Sequence, residues 1–271
     1  MSTPLTMQDV AVLIPALNEK LRIREVVSDA LAVCPHVIVV DDGSDDGTSD
    51  CIAGLPVTLI RHPQRRGKGA ALRSGFAQAE RMGLQGVLTM DGDGQHKASD
   101  FPRMLDAANA YPGWVVNGAR LRKRASQPTI RRIGNDFGDW GIAWACGFRL
   151  VDTQSGQRFY PRSVFTLADV AGEGFVFEAQ MLISAARRAN ARLVSVPVET
   201  RYLHLEGGEF RASHFRLVHD LVKITTHVIA QVLAYGHVLR EYRNARRHAP
   251  VIHDPSGEFV TVPASSSATD V

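Results

Sequence analysis

The sequence lacks any run of the roughly 18 apolar residues that a transmembrane helix needs, so no segment reads as a membrane span. It has only three cysteines, Cys34, Cys51 and Cys146, with no Cys-x-x-Cys pair. That argues against a disulfide framework or a cysteine zinc site and suggests reduced thiols in a cytosolic protein. The first ten residues, MSTPLTMQDV, hold neither a basic nor an apolar signal-peptide region, so no secretion is expected. A net charge of +3 makes no general case for nucleic acid. No internal repeat and no Gly-x-x-x-x-Gly-Lys-Ser/Thr phosphate loop are present. What remains is a 271-residue chain of 45% hydrophobic content, enough to bury the core of one large domain with an appendage.

The most informative stretch is Val87 to His96, where a short apolar run ends in Asp91-Gly92-Asp93-Gly94-Gln95-His96. The run reads as a buried strand and the glycines as its exit into a turn. Residues two apart in extended chain point the same way, so Asp91 and Asp93 can aim oxygens at one point beyond the strand end. Such ligands suit Mg²⁺ or Mn²⁺ shared with substrate phosphates, and Gln95 and His96 could complete the shell. A polar turn that caps the next helix explains the same residues.

Other strand ends bring polar groups to the same edge. Val10 to Ile14 leads into Pro15-Ala16-Leu17-Asn18-Glu19, with Asn18 as a candidate N-cap for a helix from Lys20 to Val33. Val37 to Val40 runs into Asp41-Asp42-Gly43-Ser44, which suits either a ribose or base contact or a solvated Asx turn. After a third strand, Val57 to Ile60, the segment Arg65-Arg66-Gly67-Lys68-Gly69 opens a helix to about Met82 and reads as an anion site or as basic surface. Strand–helix alternation predicts a parallel, doubly wound α/β sheet. Farther on, strand Trp114 to Asn117 precedes a basic stretch with Arg120, Arg122, Lys123, Arg124, Arg131 and Arg132. Arginine forks match phosphate oxygens, and the stretch lacks the interleaved aromatics of a single-strand nucleic-acid platform.

Pro15 to Glu19, Val39-Val40-Asp41-Asp42-Gly43-Ser44, Gly67-Lys68-Gly69 and Met90 to His96 resemble, in order, the motifs of GT-A family 2 glycosyltransferases, closest to the dolichyl- and polyprenyl-phosphate mannose or glucose synthases. The resemblance covers residues 8–225. It implies a GT-A (Rossmann-like), mostly parallel sheet and an inverting hexose transfer from a GDP- or UDP-sugar, with Mg²⁺ or Mn²⁺, to a polyprenyl phosphate at the cytoplasmic membrane face. A saccharide or other hydroxyl acceptor, and a non-catalytic nucleotide-sugar binder, are the alternatives. By resemblance, Pro15, Leu17, Glu19, Asp42, Lys68, Asp91 and Arg201 bind the donor, and Asp91, Asp93 and Gln95 hold the metal and diphosphate. Arg120, Arg131, Arg132, Asn135 and Gln154 fall on the acceptor side, and Glu178 matches a carboxylate near the donor sugar. Asp93, Arg120, Arg131, Arg132 and Glu178 are the expected catalytic set. The segment Asp152-Thr153-Gln154-Ser155-Gly156-Gln157 is similar to another family motif, but many members carry an aromatic residue where Gln157 stands.

The domain expectation is a glycosyltransferase domain over 1–213, a helix over 214–248 and a disordered tail over 249–271. A helix is predicted from Gly174 to about Ala189 and a strand from Leu193 to Val198, with Pro197 marking a strand end or edge. From His214 to Arg243 one long helix is expected, with Leu217, Leu221, Ile224, Val228 and Val232 on one apolar face. Packing on the domain, a homodimer contact and a peripheral membrane contact beside Arg240, Arg243, Arg246 and Arg247 all stay open for it.

Overall fold

The computed structural model describes residues 3–121, 129–167, 170, 172, 174–199, 217–247, 249–255 and 257. In chain order its elements are β1 (Val10–Ala16), α1 (Ile23–Leu31), β2 (Val37–Asp41), β3 (Thr58–Arg61), α2 (Lys68–Arg81), β4 (Gly86–Thr89), α3 (Phe101–Ala110) and β5 (Val115–Ala119). They continue as α4 (Thr129–Cys146), β6 (Arg158–Pro161), α5 (Arg162–Phe165), α6 (Gly174–Arg188), β7 (Leu193–Pro197), α7 (Leu217–Tyr235), α8 (Val238–Arg247) and β8 (Val251–Ile252). One sheet takes the order β3-β2-β1-β4-β6-β5-β7-β8. Only β6 runs against its neighbours β4 and β5 among these strands; the other recorded pairings are parallel.

Strand periodicity explains the layering. Alternate residues of β1 serve opposite faces: Ala11 and Leu13 pack under α2, α4, α6 and α7, whereas Val10, Val12 and Ile14 pack against α1 and α3. β2 divides likewise, Ile38 and Val40 to the first layer and Val37 and Val39 to the second. Both faces are covered, so the strands are continuously apolar rather than alternating. Burial of each large aliphatic side chain contributes about 1.5–3 kcal/mol. At Gly75 of α2 the helix lies so close to β1 that an added Cβ would overlap the Leu13 side chain.

Three boundaries differ from the sequence expectation. Asn18 does not cap a helix: it sits at φ 55°, and α1 begins only at Ile23. Its amide donates to Ser44 Oγ (3.0 Å) and its Oδ1 accepts from the Asp45 amide (3.2 Å), so it fastens two loops together. The long C-terminal helix is two helices, because Gly236 and His237 adopt left-handed φ values of 67° and 55°. The tail expected after Ala249 instead supplies β8, whose residues Val251 and Ile252 pair with Val194 and Ser195.

α8 is joined to the body through charge. Glu241, with its side chain 9% exposed, lies 3.4 Å from Arg187 of α6 and 3.1 Å from Arg240. Burial opposes its ionisation, but the two guanidinium groups hold its carboxyl below the ordinary glutamate value. A depressed carboxylate stabilises the fold above its unfolded pKa, and that contribution is lost as pH falls through the folded value. Glu241→Gln should therefore lower the melting temperature at pH 7 and narrow the gap to wild type below about pH 4. A gap independent of pH in scanning calorimetry would count against this ion pair.

Candidate active site

Parallel strands bring their carboxyl ends to one edge, the place where open α/β sheets bind ligands. β1, β2, β4 and β5 all end there. The exit of β4 carries Asp91 and Asp93. The Asp91 Oδ1 atom accepts from the ammonium of Lys68, the first residue of α2, at 2.6 Å. Lys68 Nζ is also 3.3 Å from Glu178 Oε2 of α6, and the other oxygen of Glu178 is 3.7 Å from Arg158 of β6. Charges thus alternate along Arg158, Glu178, Lys68 and Asp91. His96 approaches the second oxygen of Asp91 at 3.8 Å.

Protonation follows from this geometry. Burial opposes the charge on Lys68, yet Asp91 and Glu178 raise it above the ordinary lysine value. Burial likewise opposes Asp91, and Lys68 and His96 outweigh it, holding that carboxyl well below the usual range. Asp93 moves the other way: burial and then the negative charge of Asp91 push it up. Its Oδ1 accepts from the Gln95 amide at 3.0 Å, which orients the turn.

Among the described residues no three His, Cys, Asp or Glu side chains cluster closely enough to hold a metal by themselves. The chain offers two carboxylates, and hard cations such as Mg²⁺ are characteristically bound through one or two carboxylates with waters and substrate phosphates. The donor chemistry of Asp91 and Asp93 fits that kind of shared ion. Close packing forms the floor beside them, since a Cβ on Gly156 would overlap the Asp91 carboxylate.

The exits of β1 and β2, where donor contacts are expected, are stitched together by hydrogen bonds. Glu19, 8% exposed, donates its amide to Thr48 Oγ1 at 2.9 Å. Gly92 sits beside it, with its Cβ position 3.4 Å from Glu19 Cγ and 3.5 Å from the Pro15 carbonyl oxygen. Pro15 and Leu17 are half-buried at the same strand exit. Asp42 differs from expectation: its carboxylate faces its own chain. It accepts from the Arg66 amide (2.9 Å) and the Gly67 amide (2.7 Å) and contacts His62 Nδ1 at 2.7 Å. The amides read as an anion cradle thus hold an internal anion, and Asp42 fixes the turn from which Lys68 projects.

On the other side, Arg120 is clasped by Asp152. The Arg120 amide and Nε donate to Asp152 Oδ2 at 2.7 and 2.8 Å, and Nη2 to Oδ1 at 2.5 Å. Gln154 is half-buried against α4, its Nε2 lying 3.1 Å from the Cβ position of Gly138. Gln157 is fully buried and donates to the Lys97 carbonyl at 2.9 Å, so it ties the β6 loop to the segment after Asp93. Arg131, Arg132 and Asn135 belong to the first turns of α4, but their side chains, like the whole of Arg201, lie outside the described residues.

Two residues of this region were not anticipated. Arg158, 1% exposed, donates to Asn117 Oδ1 (3.2 Å), to Tyr160 Oη (3.1 Å) and to the Thr153 carbonyl. Asp139 of α4 accepts from the Asp152 and Thr153 amides, each at 2.8 Å. The signal for Arg158 is faint, one cation opening a four-residue strand that ends in proline. Asp139 shows only as an acid in an otherwise apolar stretch of α4.

The mostly parallel sheet with helices on both faces and paired carboxylates at the exit of β4 has the GT-A, Rossmann-like fold. The family model for glycosyl transferase family 2 matches residues 11–166, more than half of the chain, and the protein belongs to that family. It is 26% identical over 231 residues to a polyprenol monophosphomannose synthase of Mycolicibacterium smegmatis, covering 78% of this chain and 86% of that one. It is also 26% identical over 272 residues to the dolichyl-phosphate beta-glucosyltransferase of Saccharomyces cerevisiae, covering 88% of this chain and 77% of the relative. Its fold is similar to the crystal structure of glucosyl-3-phosphoglycerate synthase from Mycobacterium tuberculosis with Mn²⁺, UDP-glucose and phosphoglyceric acid. The TM-score is 0.59 at 19% identity, over 84% of this chain and 79% of the other.

Proposed function

We propose that this glycosyltransferase moves one hexose, with inversion, from a GDP- or UDP-sugar to a polyprenyl phosphate, using Mg²⁺ or Mn²⁺ at Asp91 and Asp93 with Gln95. The observation that carries the acceptor reading is the state of the carboxylates. Asp91 and Glu178 are held against Lys68 and Arg158, and Asp152 against Arg120. A sugar hydroxyl acceptor needs a general base to take its proton. A phosphate monoester is already ionised near neutral pH and needs none. The names of the two relatives, one a polyprenol and one a dolichyl-phosphate enzyme, support the same class of acceptor.

In this reading an oxygen of the lipid phosphate attacks the anomeric carbon, the bond from that carbon to the diphosphate breaks, and no proton has to leave. Asp91 and Asp93 would hold the cation, whose charge would offset that developing on the departing nucleoside diphosphate. Lys68, at the positive end of α2, adds a fixed charge on the same side. Pro15, Leu17, Glu19 and Arg201 belong to the donor side, and Arg120, Arg131, Arg132, Asn135 and Gln154 to the acceptor side, where charge and orientation do the work.

No described helix is long and apolar enough to cross a membrane. Ile229, Leu233 and Leu239 are 49%, 66% and 69% exposed, and the exposed arginines 240, 243, 246 and 247 follow them. Exposed apolar residues on α7 and α8, followed by cations, suit peripheral contact with an anionic cytoplasmic leaflet. The test supplies labelled GDP- and UDP-sugars with Mn²⁺ or Mg²⁺ to vesicles holding a polyprenyl phosphate. Label entering the lipid phase, lost on EDTA, is the expected result. Metal-dependent donor hydrolysis without lipid labelling would move the acceptor to another class, and absence of both reactions would sink the proposal.

A further inference from the structure

The acceptor side of the site rests on a joint between α4 and the loop before β6. Asp139, 7% exposed, has three donors aimed at it: the Asp152 amide at 2.8 Å, the Thr153 amide at 2.8 Å and the Thr153 hydroxyl at 2.6 Å. Asp152 sits at φ 51°, a left-handed conformation that is uncommon outside glycine and persists when its surroundings enforce it. From that conformation its carboxylate takes three hydrogen bonds from Arg120, one from the main chain and two from the guanidinium. Thr153 in turn accepts from buried Arg158 through its carbonyl. Close approach of α4 to the loop is allowed at Gly138, beside Gln154. Burial, with the neighbouring charge of Asp152, pushes the Asp139 carboxyl up to about 6 against the pull of its hydrogen bonds. A buried acid held at such a cost to its charge is not explained by helix formation.

We infer that Asp139 is a positioning residue: by fixing the left-handed Asp152 and the Thr153 that follows it, it sets the orientation of Arg120, which it does not touch. It also joins α4, which carries Arg131, Arg132 and Asn135 one to two turns earlier, to the loop carrying Gln154. The acceptor consequence rests on the phosphate-acceptor reading above, whereas the control of Arg120 does not.

Two readouts test this. Asp139→Asn keeps the shape but turns an NH₂ group toward one of the three donors. Exchange of the Arg120 Nε–H proton, followed by NMR, should quicken by about tenfold while amides of β1 and β2 keep their protection. In the transfer assay the acceptor KM should rise about tenfold, equivalent to about 1.4 kcal/mol, with the donor KM within about twofold. In an Arg120→Ala background the same substitution should change the acceptor KM by less than about twofold, because residues acting through one another are not additive. Thr153→Val, which removes only the hydroxyl donor, should give the same pattern at roughly threefold and serves if the Asn variant does not fold. Unaltered Arg120 Nε–H exchange, or a tenfold KM effect that persists without Arg120, would overturn the inference. If the wild type labels no phosphate acceptor, the acceptor reading fails and the exchange measurement alone decides the role of Asp139.

Discussion

Asp93→Asn is expected to lower sugar transfer by about 10³-fold, some 4 kcal/mol of transition-state stabilisation, while the metal-free protein melts no lower than wild type. The two halves of this expectation come from the same environment. Asp93 is disfavoured as an anion by burial and by Asp91, so its charge is a burden to the fold without a cation. Asparagine keeps the oxygen that accepts from the Gln95 amide and removes the repulsion. An acid placed where its charge is unfavourable fits the proposed shared metal site, since stability and activity trade against each other at such positions. Calorimetry in EDTA and the lipid-labelling assay test the two halves separately. A melting temperature several degrees below wild type would make Asp93 a structural residue, and retained transfer would remove it from the proposed metal site.

Arg158→Met should destabilise the fold by about 3–5 kcal/mol, the cost of breaking a buried ion pair together with the hydrogen bonds to Asn117, Tyr160 and Thr153, even though Glu178 keeps Lys68 at 3.3 Å. Folding stabilities are commonly about 5–15 kcal/mol, so the loss is large. The guanidinium serves Asn117, Tyr160, the Thr153 carbonyl and Glu178 at once, a geometry that matches a planar fork. Lysine, with one compact ammonium, should recover little. Neutralising Glu178 as well, in Arg158→Met with Glu178→Gln, should regain part of the stability, since Lys68 keeps Asp91 at 2.6 Å, although transfer stays low. Urea midpoints decide this: a single variant as stable as wild type, or a double variant worse than the single, would show that the Arg158–Glu178 pair is not what holds this part of the fold.

Much of this architecture is legible in the residues themselves, for reasons that also mark the limits. β1, β2 and β4 announce themselves as apolar runs ending in Asn-Glu, Asp-Asp and Asp-x-Asp, because a strand buried on both faces needs no alternation. β6 is silent. It has four residues, one a charged arginine and one a proline, and its partners in β4 and β5 lie about 70 and 40 positions earlier. Tyr160 and Thr153 are near in sequence, but nothing local records that Arg158 would be buried, because its partners Asn117 and Glu178 come from β5 and α6. Asp42 shows the complementary limit. Its type and position at a strand end are those of a ligand contact, and only the path of the chain through His62, Arg66 and Gly67 turns it inward. The break at Gly236 was readable as a C-terminal glycine, but the apolar spacing on either side continues across it and masks the stop.

The reversed direction of β6 has a consequence for how this enzyme can be remodelled. Because β6 returns beside β5, the chain leaves the sheet at Ala119 and re-enters at Arg158, with the Gly118 amide donating to the Gln157 carbonyl at 2.9 Å. The excursion between them is a closed cassette, anchored at its two mouths by neighbouring strands. The entropy of closing a loop depends only weakly on its length, so closure does not limit an exchange; what a graft has to reproduce is α4, packed in the core with α6 and α7, and the hydrogen bonds that Asp139 accepts from the Asp152 loop. Asp91, Asp93 and Lys68 all lie outside it. Grafting the whole segment of a relative between residues 119 and 158, its helix included, is thus the natural way to exchange the proposed acceptor half while leaving the proposed donor half as it stands.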